Sequence, residues 1–98
     1  MSLPVAVLPE ARQDVLDGRA FFEQRRAGLG SVFAAEVLVA LDRIGDMPEL
    51  YGEVWPGVRA AGVKRFGYVV YYRIKPGEVE ALAVLHGGRD PLAWQGRA

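Results

Sequence analysis

The stretch YVVYYRIKPGEVEALAVLH, Tyr68 to His86, leaves this chain little choice of architecture. YVVYYRI is almost wholly aromatic and β-branched, the composition that a pleated, half-buried surface packs well. KPGE, Lys75 to Glu78, puts proline and glycine at the two central positions of a type II turn, and VEALAVLH alternates as the returning strand. GVRAAGVKRF before it reads as a weaker strand, diluted by Gly57 and Gly62, with Phe66-Gly67 as the turn between them. Three antiparallel strands therefore close the chain.

The first half has a different period. LPVAVLP, Leu3 to Pro9, is short, β-branched and ended by proline, which predicts a first strand. Pro9 suits the first position of a helix, where its missing N–H is not needed, and Glu10 suits the first turn. Ala11, Val15 and Phe22, with Leu16 on the flank, form one apolar stripe. Gly18 weakens this helix, and Arg25 and Arg26 favour its C-terminal turn. AGLGS breaks the pattern, and Ser31 is the expected N-cap of a second helix whose Phe33, Val37, Ala40, Leu41 and Ile44 share a face, until Gly45 and Pro48 stop it.

The expected fold is α+β. It has an N-terminal strand, an antiparallel helix hairpin on one face of a mainly antiparallel sheet of about four strands, and a short C-terminal tail or helix. Tyr68, Val70, Tyr72 and Ile74 share one side of their strand. Val69, Tyr71 and Arg73 share the other, and the cost of burying an unpaired charge assigns that second side to an open face. Ninety-eight residues, half of them hydrophobic, suit a single domain over residues 1–98.

Charge and residue usage exclude several classes. Twelve basic and twelve acidic side chains cancel, so no global field draws the chain to nucleic acid or an anionic membrane. From Glu53 to Lys75, however, five basic residues stand against one acid. The absence of cysteine, of a signal-peptide pattern and of any apolar run long enough to span a bilayer fits a cytoplasmic protein with no membrane partner. A serine triad, a zinc site and a phosphate loop all lack the necessary residues or spacing, so neither a metal nor a cofactor is expected.

What remains is a set of basic and aromatic side chains: Arg59, Lys64, Arg65, Tyr71, Arg73, His86, Arg89 and Trp94. Cations interleaved with rings can grip single-stranded RNA or assist acid-base cleavage of a phosphodiester. The same set also reads as a solvated sheet edge with ordinary strand aromatics, and His86, alone at a strand end, reads first as a structural residue.

With LPEARQDVLDGRAFFEQRR, GVRAAGVKRFGYVVYYRI and VEALAVLHGGRDPLAW in view, nearly the whole chain resembles the RelE/ParE superfamily of type II toxin-antitoxin toxins, in its ParE-like, plasmid-stabilisation branch. KRFGYVVYYRI stands where the family often has an F-P-Y strand start, Gly67 replacing the proline, and VLHGGRDP is close to that branch's usual ending. The resemblance implies a helical hairpin on an antiparallel sheet. It also implies a small cognate antitoxin with a DNA-binding N-terminus, whose C-terminal segment wraps the toxin as a hetero-oligomer, and growth inhibition as the outcome.

The superfamily divides between messenger-RNA endonucleases and inhibitors of DNA gyrase. Relative to the nucleases, Val69 follows Tyr68 where an arginine is common, Ala60 to Gly62 replace lysines, and Leu92 and Trp94 stand where a tyrosine is expected. Each missing group aimed at a developing oxyanion removes about 2–4 kcal/mol of stabilisation. The resemblance therefore favours a gyrase inhibitor that acts by binding, through Arg59, Lys64, Arg65, Tyr71, Arg73, Arg89 and Trp94. The alternative is a ribosome-dependent endoribonuclease using Lys64, Arg65, Arg73, His86 and Arg89.

Overall fold

Residues 2–98 are described by a computed structural model. The hairpin is its centre: β4 (Tyr68–Lys75) and β5 (Glu78–His86) pair from Tyr68 opposite His86 to Lys75 opposite Glu78. Gly77 in the turn has φ of 77°, which a side chain would resist. To one side of the hairpin lie β3 (Val58–Gly62) and then β2 (Glu53–Trp55), both antiparallel; on the other, β1 (Val5–Val7) runs parallel to β5. The sheet thus has five strands in the order β1-β5-β4-β3-β2, with β2 added to those expected.

The returning strand does not alternate throughout. Tyr71 pairs with Ala83 while Tyr72 pairs with Ala81, so Leu82 is an extra residue in β5. The bulge turns Val79, Ala81 and Val84 toward the helices and Leu82, Ala83 and Leu85 to the opposite face. Both faces of the strand are therefore apolar, and both are buried.

The helices α1 (Pro9–Arg25) and α2 (Leu29–Asp46) cover the first face. Phe33, Val37, Ala40 and Ile44 bury their predicted stripe against Val70, Tyr72 and Val79. Gly18 is a point of close approach: a Cβ there would lie 2.7 Å from the Phe33 ring, and one at Gly30 would lie 2.5 Å from the Arg19 carbonyl oxygen. The propensity lost at Gly18 is repaid in helix packing. Ser31 does not cap α2. The helix begins two residues earlier, after Gly28 at φ of 87°, and Glu23 of α1 accepts the N–H groups of Gly28 and Gly30 at 2.9 and 3.0 Å. These two bonds hold the Glu23 carboxyl below the usual carboxylate range.

Tyr72 is fully buried, and its hydroxyl donates to the Pro48 carbonyl at 2.6 Å. Burial pushes its phenol from 10.0 up to about 12. A raised folded-state value favours the neutral form. Its contribution is complete below the unfolded value and is lost as pH rises toward about 12. Urea midpoints measured from about pH 9 to about pH 12 should fall through that window, and Tyr72→Phe should flatten the fall.

The second face is not open. A short α3 (Leu92–Gln95) folds over it, and Trp94 stacks on Tyr71 with centroids 4.4 Å apart and planes 12° apart. Val58, Leu82, Ala83 and Leu85 complete this smaller core. The C-terminal segment is too short to announce itself as a helix, yet it supplies the apolar cover that this face needs.

Candidate functional site: one end of the sheet

The expected site residues separate into three groups. Tyr71 and Trp94 are 7% and 4% exposed, each covering the other, so they are packing residues with little surface left for a partner. Arg59 and Arg73 are occupied by their own chain. Arg59 Nη1 donates to the carbonyl oxygens of Tyr51 at 2.6 Å and Glu49 at 3.4 Å. Arg73 Nε donates to Glu80 Oε1 at 2.8 Å, directly across the β4–β5 ladder, with Lys75 Nζ 3.9 Å from the same oxygen.

Lys64, Arg65, His86 and Arg89 form the third group, all exposed at the opposite end of the hairpin. Lys64 and Arg65 lie in the β3–β4 turn, His86 closes β5 opposite Tyr68, and Arg89 follows it. Five strand residues, about 16 Å, separate Tyr68 from Arg73. Arg73 therefore does not converge with the other four residues that a single phosphodiester site would draw on.

His86 is held by its neighbours. Its Nδ1 accepts the Gly88 N–H at 3.1 Å, which leaves Nε2 to carry the proton of the neutral ring, and the ring stands edge-on to Tyr68 at 5.8 Å. Gly67 lies against Nε2, where a Cβ would approach to 3.2 Å, and its φ is 71°. Proline cannot adopt that angle. This turn conformation therefore depends on glycine at position 67, which also leaves room for the histidine ring.

A depression of about 310 Å³ beside this end is lined by Asp14, Asp17, Phe21, Tyr68, His86 and Arg89. Burial raises the Tyr68 phenol, Arg89 opposes the rise, and Asp14 and Asp17 add to it. The tyrosine is therefore held neutral. The exposed Asp17 carboxylate beside the one guanidinium also makes a poor seat for a scissile phosphate.

Sequence reading missed Asp14 and Arg97, which lie 83 positions apart and leave no local pattern. Arg97 donates to both Asp14 oxygens, at 2.6 and 3.2 Å, and to the Leu82 carbonyl at 3.1 Å, while Asp14 also accepts the Val84 N–H at 2.9 Å. The Asp14 contact raises the arginine's pKa. Because β1 stops at Val7 opposite Ala81, this cluster occupies the part of the β5 edge that β1 leaves unpaired. The outer face of α2 and the loop after it also expose Leu38, Val39, Met47 and Leu50, the last with 58% of its surface in solvent.

A sequence model described as "ParE toxin of type II toxin-antitoxin system, parDE" matches residues 5–91. No curated protein matches the chain. Among solved structures, a chain from the "Chromosomal ParDE TA system from P. aeruginosa" superposes with a TM-score of 0.62 at 14% identity, covering 87% of this chain and 96% of that one. At that identity the likeness concerns the fold. No helix among the described residues is long and apolar enough to cross a membrane.

Proposed function

The chain belongs to the ParE toxin family of type II toxin-antitoxin systems, and from that premise we propose that it arrests growth by binding DNA gyrase, without cutting RNA. Membership of such a system implies a cognate antitoxin. The observation that favours the gyrase reading over the nuclease one is the removal of Arg73 from the nuclease set: it is committed to Glu80 at the far end of the hairpin from Lys64, Arg65, His86 and Arg89, and Asp17 lies beside Arg89. Lys64, Arg65 and Arg89 remain exposed and available to a protein target.

In a supercoiling assay the purified chain is expected to inhibit gyrase. Arg89→Ala with Lys64→Ala should weaken the inhibition by about tenfold or more while leaving the fold intact. Unaffected supercoiling with messenger-RNA cleavage in a translating extract would replace this reading by the endonuclease one, which draws on the shared location of Lys64, Arg65, His86 and Arg89. For the antitoxin, the exposed apolar side chains of α2 suit an amphipathic helix, and the outer edge of β2 suits an added strand.

A further inference from the structure

We propose that the tip of the molecule, where the α1–α2 turn meets the β3–β4 turn, docks a short acidic protein segment in which an apolar side chain is flanked by carboxylates. A cavity of about 430 Å³ there is lined by Phe22, Arg25, Arg26, Leu29, Arg65 and Phe66. Its floor is apolar: the Phe22 and Phe66 rings meet edge to face at 4.7 Å, with Leu29 beside them. Its rim is three guanidiniums, none of which forms an ion pair among the described residues.

The rim is pre-arranged. The Arg25 guanidinium lies 4.6 Å from the centroid of the Phe21 ring, and that of Arg65 lies 5.9 Å from that of Phe66. A guanidinium held over a ring face by a cation–π contact keeps N–H groups free to donate to a carboxylate. The nearby acid, Glu23, has both oxygens engaged by the backbone of Gly28 and Gly30. No acid among the described residues forms an ion pair with the rim.

Arg65 adds an independent sign. At φ of 80° it is the one non-glycine residue with positive φ among the described residues. Glycine would take that conformation without strain, yet an arginine is held there with its head group at the cavity rim. Strain retained at an exposed, charged position points to a binding role.

Charge balance selects the occupant. A nucleic-acid strand needs an extended basic track and flat ring faces for its bases. Here the formal net charge is zero, Asp17 interrupts the positive surface on the side of Arg89, and Phe22 and Phe66 pack against each other and against Phe33. An open depression with apolar side chains at its base and arginines around it fits an aliphatic or aromatic side chain between acids. The proposal stands on the tip alone and does not depend on the gyrase reading.

The test is an NMR titration of the ¹⁵N-labelled full chain with the peptide EDLFDE. Saturable shifts are expected at the amides of Arg26, Leu29 and Phe66, with Kd of about 1 mM or tighter. The peptides KKLFKK and EDAADE should leave those amides unmoved. Arg65→Gly, which relieves the backbone and so should melt no lower than the parent, is expected to weaken EDLFDE by about tenfold, as is Arg26→Ala. The proposal is overturned by absent or non-saturable shifts, by equal binding of EDAADE, by unchanged affinity in a folded Arg65→Gly, or by tighter binding of a thymidine hexanucleotide.

Discussion

Replacing Trp94 with alanine is expected to lower the free energy of unfolding by about 3–5 kcal/mol, the range for deleting a buried aromatic side chain. The indole is 4% exposed, stacks on Tyr71 and meets Trp55 edge-on at 6.2 Å. A helix of four residues has no stability of its own, so Trp94 is what fastens α3 to the sheet. Its loss would expose Tyr71, Leu82, Ala83 and Leu85 together. Against a total of about 5–15 kcal/mol, that is a large share. Arg89→Ala, at an exposed position, should change stability by no more than about 0.5 kcal/mol. Urea melts followed by tyrosine fluorescence and circular dichroism, run beside the supercoiling assay, separate the two residues. If Trp94→Ala kept full stability and lost only gyrase inhibition, the indole would be a target contact and its packing role would be wrong.

The same residue marks the limit of what the sequence makes legible. The hairpin was readable because YVVYYRI, Pro76-Gly77 and VEALAVLH each carry a local signal, and α2 because Phe33, Val37, Ala40 and Ile44 repeat at helical spacing. The bulge at Leu82 was not, because ALAVL is apolar in either phase and a slip changes nothing visible. β2 is three exposed residues, too short to show a period. Glu23 capping α2 from α1 is a tertiary contact, and Ser31 satisfied every local rule without being used. At the site, chemistry by residue type grouped eight side chains that the strands then distributed over two ends and a second core. Only Lys64, Arg65, His86 and Arg89 stay exposed at one end. Tyr71 was assigned to an open face because nothing in the sequence offered that face a cover, and the cover is Trp94.

Asp14→Ala should be about as damaging as the loss of Trp94, for an electrostatic reason. The two side chains of the Asp14–Arg97 pair are 9% and 18% exposed, and the carboxylate also satisfies the Val84 N–H. Removing it leaves a largely desolvated guanidinium with the Leu82 carbonyl and a 3.5 Å contact to the exposed Glu10, and strands a backbone donor on the β5 edge. Breaking one side of such a pair costs about 3–5 kcal/mol. Asp14→Asn keeps an acceptor for Val84 and should cost about 1–3 kcal/mol. In the Asp14→Ala background, Arg97→Met should add little further, since the charge it removes has already lost its partner; a double-mutant cycle measures that coupling. Equal, additive costs for the two single changes would mean that they act independently. The edge supplies a second readout. With Val84 N–H and Leu82 C=O uncovered beyond the end of β1, β5 can pair with another chain. Asp14→Ala should therefore self-associate with rising concentration in size-exclusion chromatography, whereas Trp94→Ala, which leaves Asp14 on the edge, should do so less.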